Sequence, residues 1–90
     1  MLQVKSRNTF EQDVKRAKKR GKDLTKLRRV MLLLAEEKPL PPQYKDHALR
    51  GHYVDRRECH IEPDWLLIYK KESNSIVFER TGTHSDLFKN

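Results

Sequence analysis

Ninety residues with a net charge of +7 and a single cysteine describe one small domain with no internal disulfide framework. Such a chain buries roughly 60–65% of its unfolded surface, enough to fold alone with little stability in reserve. The longest apolar runs, "VMLLLA" (30–35) and "WLLIY" (65–69), are far too short for a membrane span, and "MLQVKSRNTF" lacks the pattern of a signal peptide, so a soluble, cytoplasmic protein is expected.

"LQVK" (2–5) alternates apolar and polar residues and predicts a first strand. Thr9 with Gln12 three positions later forms a capping-box pattern. Phe10, Val14 and Ala17 follow at helical spacing until Gly21 supplies a stop. Around that narrow stripe Lys15, Arg16, Lys18, Lys19, Arg20 and Lys22 put six cations into eight residues. Asp23 caps a second helix in which Leu24, Leu27, Val30, Met31 and Leu34 share a face, ending before Pro39. Residues 39–51, "PLPPQYKDHALRG", have three prolines and no steady period. They read as an extended loop anchored by Tyr44 and Leu49. Three strands follow, from Tyr53 to Ile61, over "WLLIYK" after the turn Glu62, Pro63, Asp64, and over "SIVFERT" (75–81), with an irregular or helical tail over 82–88. The expected fold is α+β: one domain over residues 1–90, in the order β-α-α-β-β-β, with a basic helical hairpin (about 9–38) on one face of a small, mainly antiparallel sheet. The loop occupies 39–51, and the sheet with its tail 52–90.

Charge divides the chain by function. Residues 1–38 hold 12 Lys/Arg against 5 Asp/Glu, whereas residues 39–90 hold 8 against 8 and all four histidines. A basic part invites a polyanion, and a neutral part rich in groups that titrate near pH 7 invites proton transfer. A charged helix face is more often merely solvated, so charge alone does not decide the matter.

His60 stands at a strand end four residues before Asp64, across a proline turn that could join them. A carboxylate beside an imidazole fixes its tautomer, as a general base requires. His47 and His84 lie in connections whose ends could converge on the same place, and Arg80 offers a fork-shaped cation for phosphate. Two or three imidazoles, a carboxylate and an arginine suffice for RNA cleavage without metal or cofactor, by attack of a 2′-hydroxyl on the adjacent phosphate. His52, beside Gly51 in an expected turn, is kept as a surface residue. Adjacent Cys59 and His60 point to opposite faces of a strand, which suits neither a zinc site nor a Cys/His nucleophile pair. Trp65 and Phe88 are either packing residues or platforms for bases, and Trp65 fits the core better.

"YKDHALRG", "ECHIEPDWLLIYK" and "FERTGTHSDLF" resemble, in order and spacing, the motifs of the YafQ branch of the RelE/ParE toxin superfamily. The resemblance spans essentially the whole chain. It implies a microbial-ribonuclease-like fold and an mRNA interferase that cleaves message in the ribosomal A site. It also implies inhibition by a DinJ-type antitoxin, with operator DNA reached only through that antitoxin. On this resemblance His47, His60, Asp64 and His84 are catalytic, His84 as proton donor, while Arg80, Phe88 and Trp65 stabilise or position the substrate. Lys15, Lys18, Lys19, Arg20 and Lys22 would grip ribosomal RNA. Three positions depart from the family's habit: Tyr53 where tryptophan is common, Asp55 where glycine is common, and Arg56 next to Arg57 where one basic residue is usual. Two other readings compete, a non-catalytic ParE-like topoisomerase inhibitor and a plain basic RNA-binding module. The first has no reason to keep three histidines and an aspartate together, and binding without cleavage by pure protein and ribosomes would favour the second.

Overall fold

A computed structural model describes residues 1–88. Its elements are β1 (Gln3–Ser6), α1 (Asn8–Lys19), α2 (Leu24–Ala35), β2 (His47–Ala48), β3 (Arg57–Glu62), β4 (Trp65–Lys71), β5 (Ser75–Gly82) and α3 (His84–Phe88), with short 3-10 turns at Pro42–Tyr44 and Gly51–Tyr53. The sheet order is β1-β5-β4-β3-β2. β1 runs parallel to β5 and every other pair is antiparallel, so the α+β class and the mainly antiparallel sheet stand as expected. No helix among the described residues is long and apolar enough to cross a membrane.

Strand β4 lies at the centre, and both of its faces are covered. Trp65, Leu67 and Tyr69 look toward α1 and α2, where Phe10, Leu27 and Val30 meet them. Leu66 and Ile68 look the other way, under Leu87 of α3, Leu49 and Tyr53. That two-sided burial is why "WLLIY" reads as an unbroken apolar run instead of alternating.

The hairpin ends as its sequence dictates. Gly21 has φ +78, Lys22 N–H donates to the Ala17 carbonyl and Gly21 N–H to that of Lys18, the paired bonds of a Schellman stop. Asp23 accepts from Thr25 N–H at 3.0 Å and caps α2. The capping box expected from Thr9 and Gln12 does not form. Helix α1 starts two residues earlier behind Arg7, which makes no side-chain cap, and Thr9 donates instead to the Glu79 carbonyl at 3.0 Å.

That hydrogen bond belongs to a larger device. β1 pairs with β5 only as far as Phe78. Beyond it, Arg7 N–H reaches the Phe78 carbonyl, Thr9 the Glu79 carbonyl, and the Asp13 carboxylate accepts Thr81 N–H at 3.1 Å. The start of α1 therefore supplies the hydrogen bonds that an edge strand would otherwise leave to water. At the same level the β4–β5 register slips: Tyr69 faces Phe78, whereas Ile68 faces Arg80, leaving Glu79 as the extra residue of a bulge. The bulge reverses the alternation of β5. Thr81 then shares the helix-side face with Ile76 and Phe78, and Arg80 joins the opposite face.

The loop over 39–51 is less irregular than its prolines suggest. His47 and Ala48 pair with Glu58 and Arg57, adding a fifth strand that the sequence did not announce, and Tyr44 and Leu49 anchor the segment on the two cores as expected. β3 begins at Arg57, not Tyr53, because Gly51–Tyr53 coils and Asp55 takes φ +70. That left-handed backbone is one that glycine adopts freely, and aspartate is among the few others that tolerate it. Asp55→Val is therefore expected to cost about 1–2 kcal/mol, while Asp55→Gly leaves stability unchanged or slightly raised. Thermal melts of the two variants check this; equal melting temperatures would remove the strain argument.

Candidate active site

Three of the expected site residues, His47, His60 and His84, gather on the sheet face opposite the helical hairpin. His60 on β3 stands between the other two histidines: ring centroids lie 6.2 Å from His47 on β2 and 5.8 Å from His84 at the start of α3. A cleft of about 300 Å³ opens beside His60, lined by Tyr44, Lys45, Glu62 and Pro63.

Asp64 does not pair with His60, contrary to the sequence expectation. The tight turn aims Asp64 across to α3, where its Oδ1 accepts both His84 Nδ1–H at 2.6 Å and His84 backbone N–H at 2.9 Å. These bonds hold the Asp64 carboxyl below its ordinary range, so it is an anion and accepts only. The Nδ1 of His84 must then carry a proton, which leaves Nε2 to exchange one with a substrate.

His60 turns to a different carboxylate, one that the sequence reading missed. Glu58 is buried, with Oε1 3.4 Å from His47 Nε2 and 3.6 Å from His60 Nε2, while its Oε2 has no partner among the described residues. Each of these imidazoles points Nδ1 at a backbone carbonyl, His47 at Lys45 (2.7 Å) and His60 at Pro63 (3.3 Å). A carbonyl only accepts, so both Nδ1 atoms are donors and both Nε2 atoms, if neutral, turn lone pairs toward Glu58. Lone pairs facing a buried carboxylate repel unless a proton is shared among them. Glu58, His47 and His60 thus form one cluster, a buried carboxylate facing two imidazoles. A signal for it was present in "ECH", since residues two apart on a strand share a face.

Arg80 reaches this face through the bulge but is tethered. Its Nε and Nη2 bind the buried Asp13 carboxylate at 2.6 and 3.3 Å, with Nη1 outside both bonds. Trp65 is 1% exposed and donates to Thr81 Oγ1 at 2.9 Å, which in turn donates to the Leu66 carbonyl. It is a core residue, with no surface on which a base could stack. Phe88 is 40% exposed and meets Tyr53 edge-on at 5.7 Å. Cys59 faces the helix-side core, where burial pushes its thiol up to about 12, which disqualifies it as a nucleophile. His52 is exposed in the second 3-10 turn.

The tail carrying His84 is a built element. Thr83 and Asp86 bond reciprocally, Thr83 N–H to Asp86 Oδ2 (2.9 Å) and Asp86 N–H to Thr83 Oγ1 (3.1 Å), a capping box legible in "THSD". The basic residues divide. Lys15, Lys18 and Lys19 are exposed and enter no ion pair among the described residues, whereas Arg20 binds Asp86 and Lys22 binds Glu62. Arg56 binds the buried Glu79 at 2.9 Å, which ties the segment before β3 to the bulge.

Comparison with known proteins puts this arrangement, a basic helical hairpin on one face of a mixed sheet and an imidazole row on the other, among the small bacterial toxins of toxin–antitoxin pairs. The chain belongs to the YafQ family: residues 2–89 match the family described as bacterial toxin of type II toxin-antitoxin system, YafQ. It is 51% identical over 80 residues to the mRNA interferase toxin YafQ of Escherichia coli K12, covering 88% of this chain and 87% of that protein. Its fold superposes on the toxin in the E. coli DinJ-YafQ complex with a TM-score of 0.91 at 46% identity, covering 97% of both chains. A metal-bound toxin from Helicobacter pylori matches with a TM-score of 0.92 at 44% identity, covering 98% of this chain and 100% of that one.

Proposed function

We propose that this toxin is an mRNA interferase, a ribosome-dependent endoribonuclease that cleaves message in the A site without a metal ion and is held inactive by a DinJ-type antitoxin. The observation that carries the reading is the division of labour among the imidazoles: His84 is oriented by the anionic Asp64, and His60 backs onto Glu58 within reach of the same substrate. Imidazoles about 6 Å apart suit the two apical oxygens of an in-line phosphoryl displacement.

In this scheme the 2′-hydroxyl proton passes to His60 Nε2 once the ring swings off Glu58 toward the substrate, and Glu58 balances the imidazolium charge. The 2′-oxygen attacks phosphorus, the bond to the 5′-oxygen breaks, and His84 Nε2 returns a proton to that oxygen. The products are a 2′,3′-cyclic phosphate and a 5′-hydroxyl. Arg80 stands opposite Ile68 on the same face, and its Nη1, outside the Asp13 bonds, would meet the charge on the phosphoryl oxygens. Phe88 would hold a neighbouring base and the cleft beside His60 a second. The 51% identity to a protein named for message cleavage supports the same reading. The test is product analysis on programmed ribosomes with pure toxin. Cyclic-phosphate ends that persist in chelator support the scheme, and loss of cleavage on chelation would overturn its metal-free part.

Lys15, Lys18 and Lys19 are the residues left to grip ribosomal RNA. Reversing their charges together is expected to weaken ribosome binding about tenfold or more at moderate salt and to flatten its salt dependence, by roughly 0.7–0.9 in slope for each phosphate no longer neutralised. Unchanged affinity in a sedimentation assay would rule out this face. The same cations would attract an acidic antitoxin segment along residues 15–29.

A further inference from the structure

Arg20 is one of the five basic residues expected to grip RNA, yet its geometry does something else. It sits at the C-cap of α1 and turns both terminal nitrogens onto Asp86, Nη1 to Oδ2 at 2.7 Å and Nη2 to Oδ1 at 3.2 Å. A two-point guanidinium–carboxylate fork fixes direction as well as distance. Asp86 is only 13% exposed in its side chain, and the same carboxylate caps Thr83 N–H. Gly82 leaves the space this needs: a Cβ there would stand 2.9 Å from Asp86 Oδ2. A helix of five residues has little stability of its own. Apart from Leu87 beneath it and Phe88 against Tyr53, α3 is held by its capping box, the His84 bonds to Asp64, the Arg20 fork, and more distantly by Arg16, whose Nη2 stands 3.8 Å from Asp86 Oδ2.

The residues next along the chain brace the other half of the pair. Lys22 and Lys26 both bind Glu62, at 3.1 and 3.0 Å, two residues before Asp64 in the β3–β4 turn. One connection, residues 20–26, thus reaches both the element that carries His84 and the turn that carries Asp64. We propose that Arg20 is a positioning residue for the proton-donating imidazole, acting through Asp86 to hold α3 where Asp64 can orient His84, and that it is not part of the RNA-binding face.

The inference rests on the reading of His84 as the acid, so the test separates the two. Arg20→Gln, Asp86→Asn and the double variant are measured for single-turnover rate, ribosome affinity and the His84 imidazole resonances in the free protein. The amide of Asp86→Asn can still accept from Thr83, so α3 keeps its cap while the charge is removed. The expected result is a 10- to 100-fold lower rate for Arg20→Gln with KM unchanged, displaced His84 resonances, and no further loss in the double variant. Arg20→Lys, a point charge without the fork, recovers only part of the rate. Arg29→Gln, which removes a charge elsewhere on the hairpin, leaves the rate as it was.

A raised KM at constant rate would return Arg20 to the RNA-binding face and overturn the proposal. Undisturbed His84 resonances in Arg20→Gln would overturn it also, whatever the activity. If His84→Ala itself cuts at the parental rate, the acid assignment fails instead, while the resonances still report whether Arg20 holds α3. Should Arg20→Gln fold poorly, Asp86→Asn carries the comparison, and a parental rate with parental resonances there would refute the tie.

Discussion

Replacing His84 with alanine is expected to slow single-turnover cleavage of message by about 10²–10⁴-fold, the usual worth of a positioned acid, with ribosome affinity retained. Stability should hardly move, because the side chain is 55% exposed and its loss frees an equally exposed Asp64 to water. The pH profile gives a second readout. A base must be deprotonated and an acid protonated, so the parental profile is bell-shaped, rising through one group and falling through the other. Without His84 the alkaline fall should disappear. Asp64 is held below the ordinary carboxylate range, and so remains an anion across the working range and titrates in neither limb. A parental rate and an intact alkaline limb in His84→Ala would pass the role of acid to His47.

Glu58→Gln should be nearly as damaging, by about 10²-fold or more, and for an opposite reason. The amide keeps the shape of the side chain but cannot take up or balance a proton, so His60 loses the charge that stabilises it as an imidazolium. Here the acidic limb should move or vanish. A buried amide is cheaper than a buried carboxylate with an oxygen lacking a partner, so the variant should melt no lower than the parent. Reduced activity accompanied by an equally large loss of stability would mean that Glu58 is structural. A rate within about threefold of the parent, far short of the usual worth of a catalytic group, would remove it from the mechanism.

The legible part of this protein was whatever local pattern records. The apolar stripes of α1 and α2, the stop at Gly21, the cap at Asp23 and the meander of β3, β4 and β5 each leave a short-range signature, and each is present. What escaped depended on partners distant in sequence. β2 is two residues long and exists only because His47 and Ala48 lie against β3, so no window of its own sequence could reveal it. The false capping box failed because Thr9 found the open edge of β5, some seventy residues away. Asp64 was assigned to His60 by proximity along the chain, whereas the turn directs it outward to α3. Glu58 was overlooked because glutamate within a strand reads as an exposed residue. Its burial depends on neighbours that folding brings around β3, His47 of β2 among them, which again is tertiary information.

The bulge at Glu79 makes the chemistry of this toxin depend on counting as well as on composition. Arg80 faces away from the helices and Thr81 toward them only because one surplus residue shifts the phase of β5 midway. Were the same residues to run through this stretch without the bulge, the cation would be driven beneath the helices and the hydroxyl that partners Trp65 turned out to the opposite face. Deleting Glu79 removes the surplus residue itself, so Arg80 and Thr81 should keep their faces while the tie from Arg56 to the Glu79 carboxylate is lost. The phase of this short stretch is therefore set by a backbone irregularity that comparing residue identities one position at a time would not detect.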